Sequence, residues 1–504
     1  MTIVRPAYRS WELALLGPTY IIVAGAQHGE DSLFAEPDAL QFLVEVNHMG
    51  ATETVSKWIV DTTYEDIPPE AIRVANESCF DLLGVILAGS KQPLGDLIQQ
   101  YVGDQGGVPE ATILSSGIKT TLPNAALANG TMGHALDYDD FGGFGHPTVA
   151  IFPALLAIGE HLGSSGRDLL EAYVIGCELG LALQYTTKYN QMDKGFHSTA
   201  VIGRLACAAA CSKLLKLDQP QTTTALGIAG SMSSGLIHNF GTMTKPLHAG
   251  MAGRDGVTAA QLAQRGWTAG DQILEHPFGF AATVLGKGIY NLDQMAENMG
   301  KPFRVQDALM IKKYPCCGGN HAMLDSLFGM MREHNFTYED VVNAEVDQSY
   351  LSVVMLYAEP EDELKGKFSA KYNVAAALVD DQVGIGTFTP ERIADPKIQE
   401  VMDKVRTRVM AKAEEGTTDF QLGLPVRITL KDGRVIEHTT AREDILGAQK
   451  NPWGFDNIKS KFQVNAGLAL PEDRVEQTIA AWSDITQVTD LAGTIRSTLV
   501  ANSG

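Results

Sequence analysis

"NGTMGHALDYDDFGGFGHPTVAIFPALLAIGEHLG", residues 129–163, decides how this chain is read. Its first half sets Asp137, Asp139 and Asp140 between His134 and His146, three carboxylates and two imidazoles within thirteen residues. Its second half, from Pro147, is a nearly unbroken apolar run headed by proline, which suits the first turn of a buried helix. Ionisable chemistry placed against a buried helix admits three readings: a metal site, an acid/base centre or a solvated turn. The acids lack an HExxH or CxxC companion, which weakens the first, and no metal ligand is assigned.

Outward from this stretch the apolar spacing stays helical. Val55, Trp58 and Ile59 make one stripe; Ile72, Ala75, Cys79, Leu82 and Leu83 make the next, with Pro68 and Pro69 where that helix should begin. Helix is expected over 147–163, 167–185, 198–216, 220–237 and 246–266. Fifty glycines, many beside Ala and Ser as in "GIAGSMSSGLIHNFG", point to closely packed helices rather than linkers. After residue 306 the texture changes. Val346, Val353 and Val354, "VRTRVMAKA" and "LPVRITLKDGRVIEHTT" read as strands, the last as a hairpin with a type I′ turn at Asp432-Gly433. "NPWGFDNIKSKFQVNAG" returns to helix. The fold class is therefore mainly α: a large all-helical domain, 50–306 plus 451–504, with a smaller α+β domain, 307–450, inserted late in the chain.

Composition narrows the function. A chain of 504 residues is too long for one compact core, and 45% apolar with 20% charged residues is ordinary for a soluble globular protein. The formal charge of −21 argues against nucleic acid and requires any anion site to supply its own cations. Cys79, Cys177, Cys207, Cys211, Cys316 and Cys317 are too few and too scattered for a disulfide framework, and their apolar context indicates a reducing, cytoplasmic setting. No apolar run reaches the roughly 18 residues that cross a bilayer, so no membrane role is expected. Residues 1–48 loosely resemble a secretory signal, but Glu12 and Pro18 interrupt the apolar part. They are read as an upstream extension, with Met49 as an alternative start. Nothing matches a P-loop, GxSxG or GxGxxG followed by a suitable acid.

Four further stretches carry candidate chemistry. "DKGFHSTAVIG" places His197 at a helix mouth with Ser198 and Thr199 available for capping. "GTMTKPLHAGMAGRDG" sets Lys245 at a helix start, where its ammonium and backbone N–H groups would favour an anion together. "ALMIKKYPCCGGNHAML" offers Lys312 and Lys313, one for a cleft and one for solvent, with His321 close behind. "GKFSAKYNVAAALVDD" holds Tyr372 at the entry of an apolar helix, where a tyrosine is ordinarily core.

In sequence order, "GHALDYDDFGGFGHPT", "GFHSTAVIG", "TKPLHAGMAGRDG", "IKKYPCCGGNH" and "GKFSAKYNVAAAL" resemble the MmgE/PrpD family over about residues 50–490. The resemblance implies that the α+β domain is a lid, that the protein is a homodimer, and that its chemistry needs no metal or organic cofactor. It implies a lyase of small di- or tricarboxylates, with dehydration of a citrate-like hydroxy acid favoured over decarboxylation of an aconitate-like acid, and an epimerase as the near alternative. Matched residue by residue, His197, Asp137, Lys245, Lys312 and Tyr372 are the implied catalytic residues, and His146, Lys245, Lys312 and His321 the implied substrate contacts. Phe141 departs from the family, which often has threonine there, and Ser198 stands where proline is common. A metal-dependent hydrolase and a noncatalytic carboxylate-binding protein are the readings from other classes.

Overall fold

The structure is a computed structural model that describes residues 50–187, 191–349, 357–410 and 423–501. Residues 1–49 form a unit apart, of which only the antiparallel pair Leu15–Leu16 and Thr19–Tyr20 is described. The remainder of the expected extension, strand residues Val353 and Val354, and the last three residues of "VRTRVMAKA" lie outside the described residues.

The main unit begins with helices α1 (Ala51–Asp61), α2 (Pro69–Gly89) and α3 (Pro93–Gln105). It continues through α4 (Leu122–Gly133), α5 (Pro147–Leu162), α6 (Gly166–Tyr185), α7 (Ser198–Leu214), α8 (Gln219–Met232) and α9 (Thr244–Gln264). Proline opens α2, α3 and α5, where its missing N–H costs nothing. Ser165 with Asp168 and Asp218 with Gln221 form capping boxes for α6 and α8. Helix α8 stops five residues short of expectation, at Met232, because Ser233 is extended and Gly235 takes φ +133°. Helix α5 is buried through fourteen consecutive residues, as its apolar run requires.

One crossing positions the site. A Cβ on Gly130 of α4 would lie 2.8 Å from the Cα of Gly250 on α9, and one on Gly250 would lie 2.3 Å from the Leu127 carbonyl. Only glycine lets these backbones approach so closely. The contact brings the C-terminal end of α4, capped by His134, beside the first turn of α9, which carries Lys245.

The later part contains a four-stranded sheet of β1 (Val341–Gln348), β2 (Val405–Val409), β3 (Val426–Leu430) and β4 (Val435–His438). Its order is β2-β1-β3-β4, with β1 and β2 parallel and the other pairs antiparallel. Helices α10 (His321–His334) and α11 (Ala370–Asp380) share its apolar core. The β3–β4 hairpin is as expected, but its turn is not type I′. Gly433 alone has positive φ, +90°, and its N–H donates to the Leu430 carbonyl at 3.0 Å. Three residues therefore make a type I turn that ends in a left-handed glycine.

Buried apolar residues fall into two large clusters, one drawn from 51–311 and 458–499 and one from 314–436. The chain returns to the first cluster through α12 (Phe455–Ala466), where Phe462 stacks on Phe80 at 4.6 Å between centroids. Among the described residues, no helix is long and apolar enough to cross a membrane.

Candidate active site

After α4 the chain must reverse within a few residues to enter α5. Asp137 adopts φ +50°, a conformation that short polar side chains tolerate better than most. Gly142 and Gly145 then exchange backbone hydrogen bonds of 2.9 and 3.0 Å, closing a tight loop. Gly145 has φ +103°, and a Cβ there would lie 2.3 Å from Thr199 Oγ1. The loop delivers His146 as N-cap of α5, and His197 holds the same position on α7. Thr199 does not cap its own helix by side chain here; its hydroxyl accepts from the His146 N–H at 3.0 Å.

These turns gather a charged cluster around one carboxylate. Lys245 Nζ donates to Asp137 Oδ1 at 2.8 Å, and Lys312 Nζ lies 3.0 Å from the same oxygen while donating to the Asp137 carbonyl at 2.7 Å. Lys245 also donates to His134 Nε2 at 2.7 Å, so the proton of that imidazole resides on Nδ1, which bonds Asp139 Oδ1 at 2.8 Å. His146 Nδ1 lies 2.9 Å from the Asp140 carbonyl, which can only accept. Its Nε2 is therefore a bare lone pair, 3.7 Å from Asp137 Oδ1. His197 contacts His248 through their Nδ1 atoms at 3.2 Å.

Burial and the lysines together set the protonation states. Burial pushes the Asp137 carboxyl up, but Lys245 and Lys312 outweigh it and hold that carboxyl well below the usual range. Burial lowers His146 to about 3, with Asp139 opposing and Lys245 assisting. It also drives His197 well below its ordinary value, aided by Lys245 and His248. These imidazoles are neutral at pH 7 and can accept protons. Burial works against the Lys312 ammonium, but the combined pull of its neighbours, Asp137 and then Asp139 foremost, outweighs it and holds the group charged.

A cavity of about 140 Å³ opens on this cluster. Asp137, His146, His197, Ser198, Lys245 and Arg442 are its polar lining, and Phe141, Phe240 and Phe368 line it as well, the last two with ring centroids each 5.2 Å from the Lys245 ammonium. An ammonium has three donors, and His134 and Asp137 take two of those on Lys245, which lines the cavity.

The structure thus brings together Asp137, His146, His197 and Lys245 on the cavity wall, with Lys312 directly behind Asp137. Lys312 is fully buried and does not line the cavity. His321 is also fully buried; its Nε2 donates to the Tyr314 carbonyl at 3.1 Å and its ring packs on Phe141. Tyr372 is not brought to the cavity wall. Its ring packs near Phe388 in the second apolar core and its hydroxyl donates to the Thr387 carbonyl at 2.5 Å. Lys313 lies over the Tyr314 ring, 5.0 Å from its centroid, rather than in the cleft.

Sequence reading missed several members. His134 was visible in the ionisable run but carried no assignment. His248 lies one turn after Lys245, the i, i+3 spacing that puts both on one face of α9. Arg442 comes from a short turn of 3₁₀ helix, and nothing local distinguishes it. Lys461 of α12 donates to Asp81 Oδ2 at 2.8 Å, to the Tyr138 carbonyl at 2.8 Å and to the Lys312 carbonyl at 3.0 Å. It ties the two lysine- and aspartate-bearing loops together from more than a hundred residues away.

His134, Asp137, Asp139 and His146 place donor atoms within 4.8 Å of one another, as do His134, His146 and His197. The Lys245 ammonium stands between His134 and Asp137, where a divalent cation would have to displace it. The donor set therefore suits an internal cation better than a metal.

A helical body followed by a small α+β part holds neutral imidazoles and paired lysines around a buried carboxylate, an arrangement chemically suited to acid/base work. The chain belongs to the MmgE/PrpD family: residues 53–293 match the MmgE/PrpD N-terminal domain and residues 314–485 the MmgE/PrpD C-terminal domain. It is 27% identical over 459 residues to cis-aconitate decarboxylase of Mus musculus, covering 88% of this chain and 92% of that protein. The Homo sapiens cis-aconitate decarboxylase is 28% identical over 465 residues, with 87% and 92% covered. The mitochondrial 2-methylcitrate dehydratase of Yarrowia lipolytica is 24% identical over 440 residues, with 80% and 82% covered.

Proposed function

We propose that this protein is a cofactor-independent lyase that abstracts a proton next to a carboxylate of a small di- or tricarboxylate. Its family and its relatives, a decarboxylase and a dehydratase, make it a lyase of the MmgE/PrpD type. Dehydration of a citrate-like hydroxy acid or decarboxylation of an aconitate-like acid is the reaction. The observation that carries this reading is the pairing of Lys245 with Asp137 and His134 on the cavity wall that also holds neutral His197.

A proton beside a carboxylate is weakly acidic, so removing it requires a base and a cation where the new charge appears. His197, deprotonated at neutral pH, is the base. Negative charge spreading onto the substrate carboxylate meets the third donor of Lys245, already oriented by Asp137 and His134, so little reorganisation is needed. Arg442 supplies a second cation for a further carboxylate. In a dehydration the leaving hydroxyl takes the proton that His197 removed from carbon; in a decarboxylation the C–C bond breaks first, and the carbanion left by CO2 loss takes a proton that His197 has acquired from solvent. Lys312 keeps Asp137 ionised and in place. The reading includes a homodimer, which sedimentation of the full chain would test, and a cytoplasmic setting that accords with six free, buried cysteines.

The test is incubation of chelator-treated protein in D2O with citrate, 2-methylcitrate, cis-aconitate and iminodisuccinate, each followed by proton NMR. A new alkene or loss of CO2 is expected with one of the tricarboxylates. Deuterium exchange without either would identify an epimerase. No exchange or conversion by folded protein across the panel would count against the reading.

A further inference from the structure

His197 and His248 meet Nδ1 to Nδ1 at 3.2 Å, on neighbouring helices α7 and α9. Two imidazole nitrogens bond only when one carries a proton and the other a lone pair. Lys245 and His248 lie on the same face of α9, and the His197 backbone N–H is anchored by the Gly235 carbonyl at 3.0 Å. The charged and titratable groups around the pair are Lys245 and Asp255 of α9, Arg204 of α7, His134 at the end of α4 and His146 at the start of α5. Arg204 donates to Asp255 at 2.6 Å and to the Ala200 and Ser234 carbonyls at 2.6 and 2.5 Å, and its charge helps hold His248 down.

We propose that His248 is a positioning residue for His197, the two Nδ1 atoms sharing a single proton so that the pair works as one base. With the shared proton on His197, Nε2 of that ring is the bare nitrogen and accepts. When Nε2 takes a proton from a substrate C–H bond, the carbon keeps the electron pair. The Nδ1 proton of His197 then passes to His248 Nδ1, one N–H bond breaking as the other forms. His197 stays neutral and His248 becomes the imidazolium; the reverse transfer returns the proton. The transfer moves the positive charge from His197 to His248, the less buried of the two rings, where Arg204 and Lys245 still oppose it. Burial and the neighbouring cations keep both rings neutral at rest, His248 down to about 4.

The inference rests on His197 serving as the base, and its first test needs no substrate. In protein labelled with ¹⁵N-histidine, long-range ¹H–¹⁵N spectra should find His197 in the Nδ1–H tautomer and His248 in the Nε2–H tautomer. His248→Phe should convert His197 to Nε2–H, whereas His248→Asn, whose amide oxygen can still accept, should preserve the tautomer. On whichever acid of the panel turns over, kcat should fall about 100-fold in His248→Phe with KM within about twofold, and about tenfold in His248→Asn, the scale of lost acid/base assistance. A His197 tautomer indifferent to residue 248, or an unchanged kcat in His248→Phe, overturns the proposal. If that variant does not fold, the wild-type and His248→Asn spectra decide: both rings Nε2–H in the wild type would refute the shared proton. Silence of the panel with the expected tautomers would count against the proposed reaction and leave the pair standing.

Discussion

At the scale of single residues, the site is governed by one carboxylate that cannot be left alone. Asp137 is 3% exposed, and two ammonium groups reach its Oδ1. Removing one partner of a buried pair costs about 3–5 kcal/mol because the remaining charge is stranded. Here Lys312 stays behind, so Lys245→Met should cost less than that and the protein should fold. Its effect on turnover should be larger, about 1,000-fold in kcat, because Lys245 is the cation aimed at the developing charge. Steady-state kinetics beside a thermal melt would separate the two effects; activity within tenfold of wild type would remove Lys245 from the mechanism. Tyr372 shows the opposite case. At the start of α11 its neighbours Ala370, Val374 and Ala375 are all buried, and its hydroxyl already has the Thr387 carbonyl as acceptor.

At the scale of elements, the decisive contact is glycine on glycine between α4 and α9. His134 and Lys245 are 2.7 Å apart because these helices touch along their backbones, not because either residue is placed by its own turn. Gly250→Ala puts a methyl 2.2 Å from Thr131 Oγ1 and 2.3 Å from the Leu127 carbonyl. The helices must separate, which costs about 1–3 kcal/mol. The expected result is a lower melting temperature together with a loss of turnover out of proportion to it. Turnover unchanged in a destabilised but folded variant would show that the crossing does not control the His134–Lys245 contact. The Lys461–Asp81 pair of α12 and α2 adds a second long-range tie, fully buried at both ends.

At the scale of the whole molecule, burial of titratable groups links stability to pH. His134, His146, His197, His248 and His321 are held below their ordinary value, His146 and His321 at about 3. As pH falls below about 6.5 the unfolded chain protonates all five while the folded chain resists, so each contributes stability that is lost as pH falls. Asp140 and Glu178 at about 7, and Asp81 at about 6, work the other way, holding protons in the fold that the unfolded chain releases. Fewer groups act in this second sense, so the net slope is positive. The melting temperature should fall between pH 7 and pH 5, and a rise over that interval would contradict the protonation states assigned to the imidazoles.

Much of this molecule was legible in its sequence because helix and strand leave local periodicities. The apolar run after Pro147, the stripes of α1 and α2, and the alternation on either side of Asp432-Gly433 depend on neighbours within a turn or a strand. The turn type was misread because Asp-Gly suits both a two-residue and a three-residue loop, and register decides between them. The ionisable run from His134 to His146 announced its chemistry by composition alone. What it could not announce was which groups would meet. Arg442 reaches the cavity from a distant turn, His248 reaches His197 across a helix interface, and Lys461 reaches the Tyr138 and Lys312 carbonyls from the far end of the chain. Helix spacing says which face a side chain occupies but not what lies across from it. Local structure was therefore determined by the sequence on its own, whereas the partners of each charge were decided only when packing brought distant helices to within hydrogen-bonding distance.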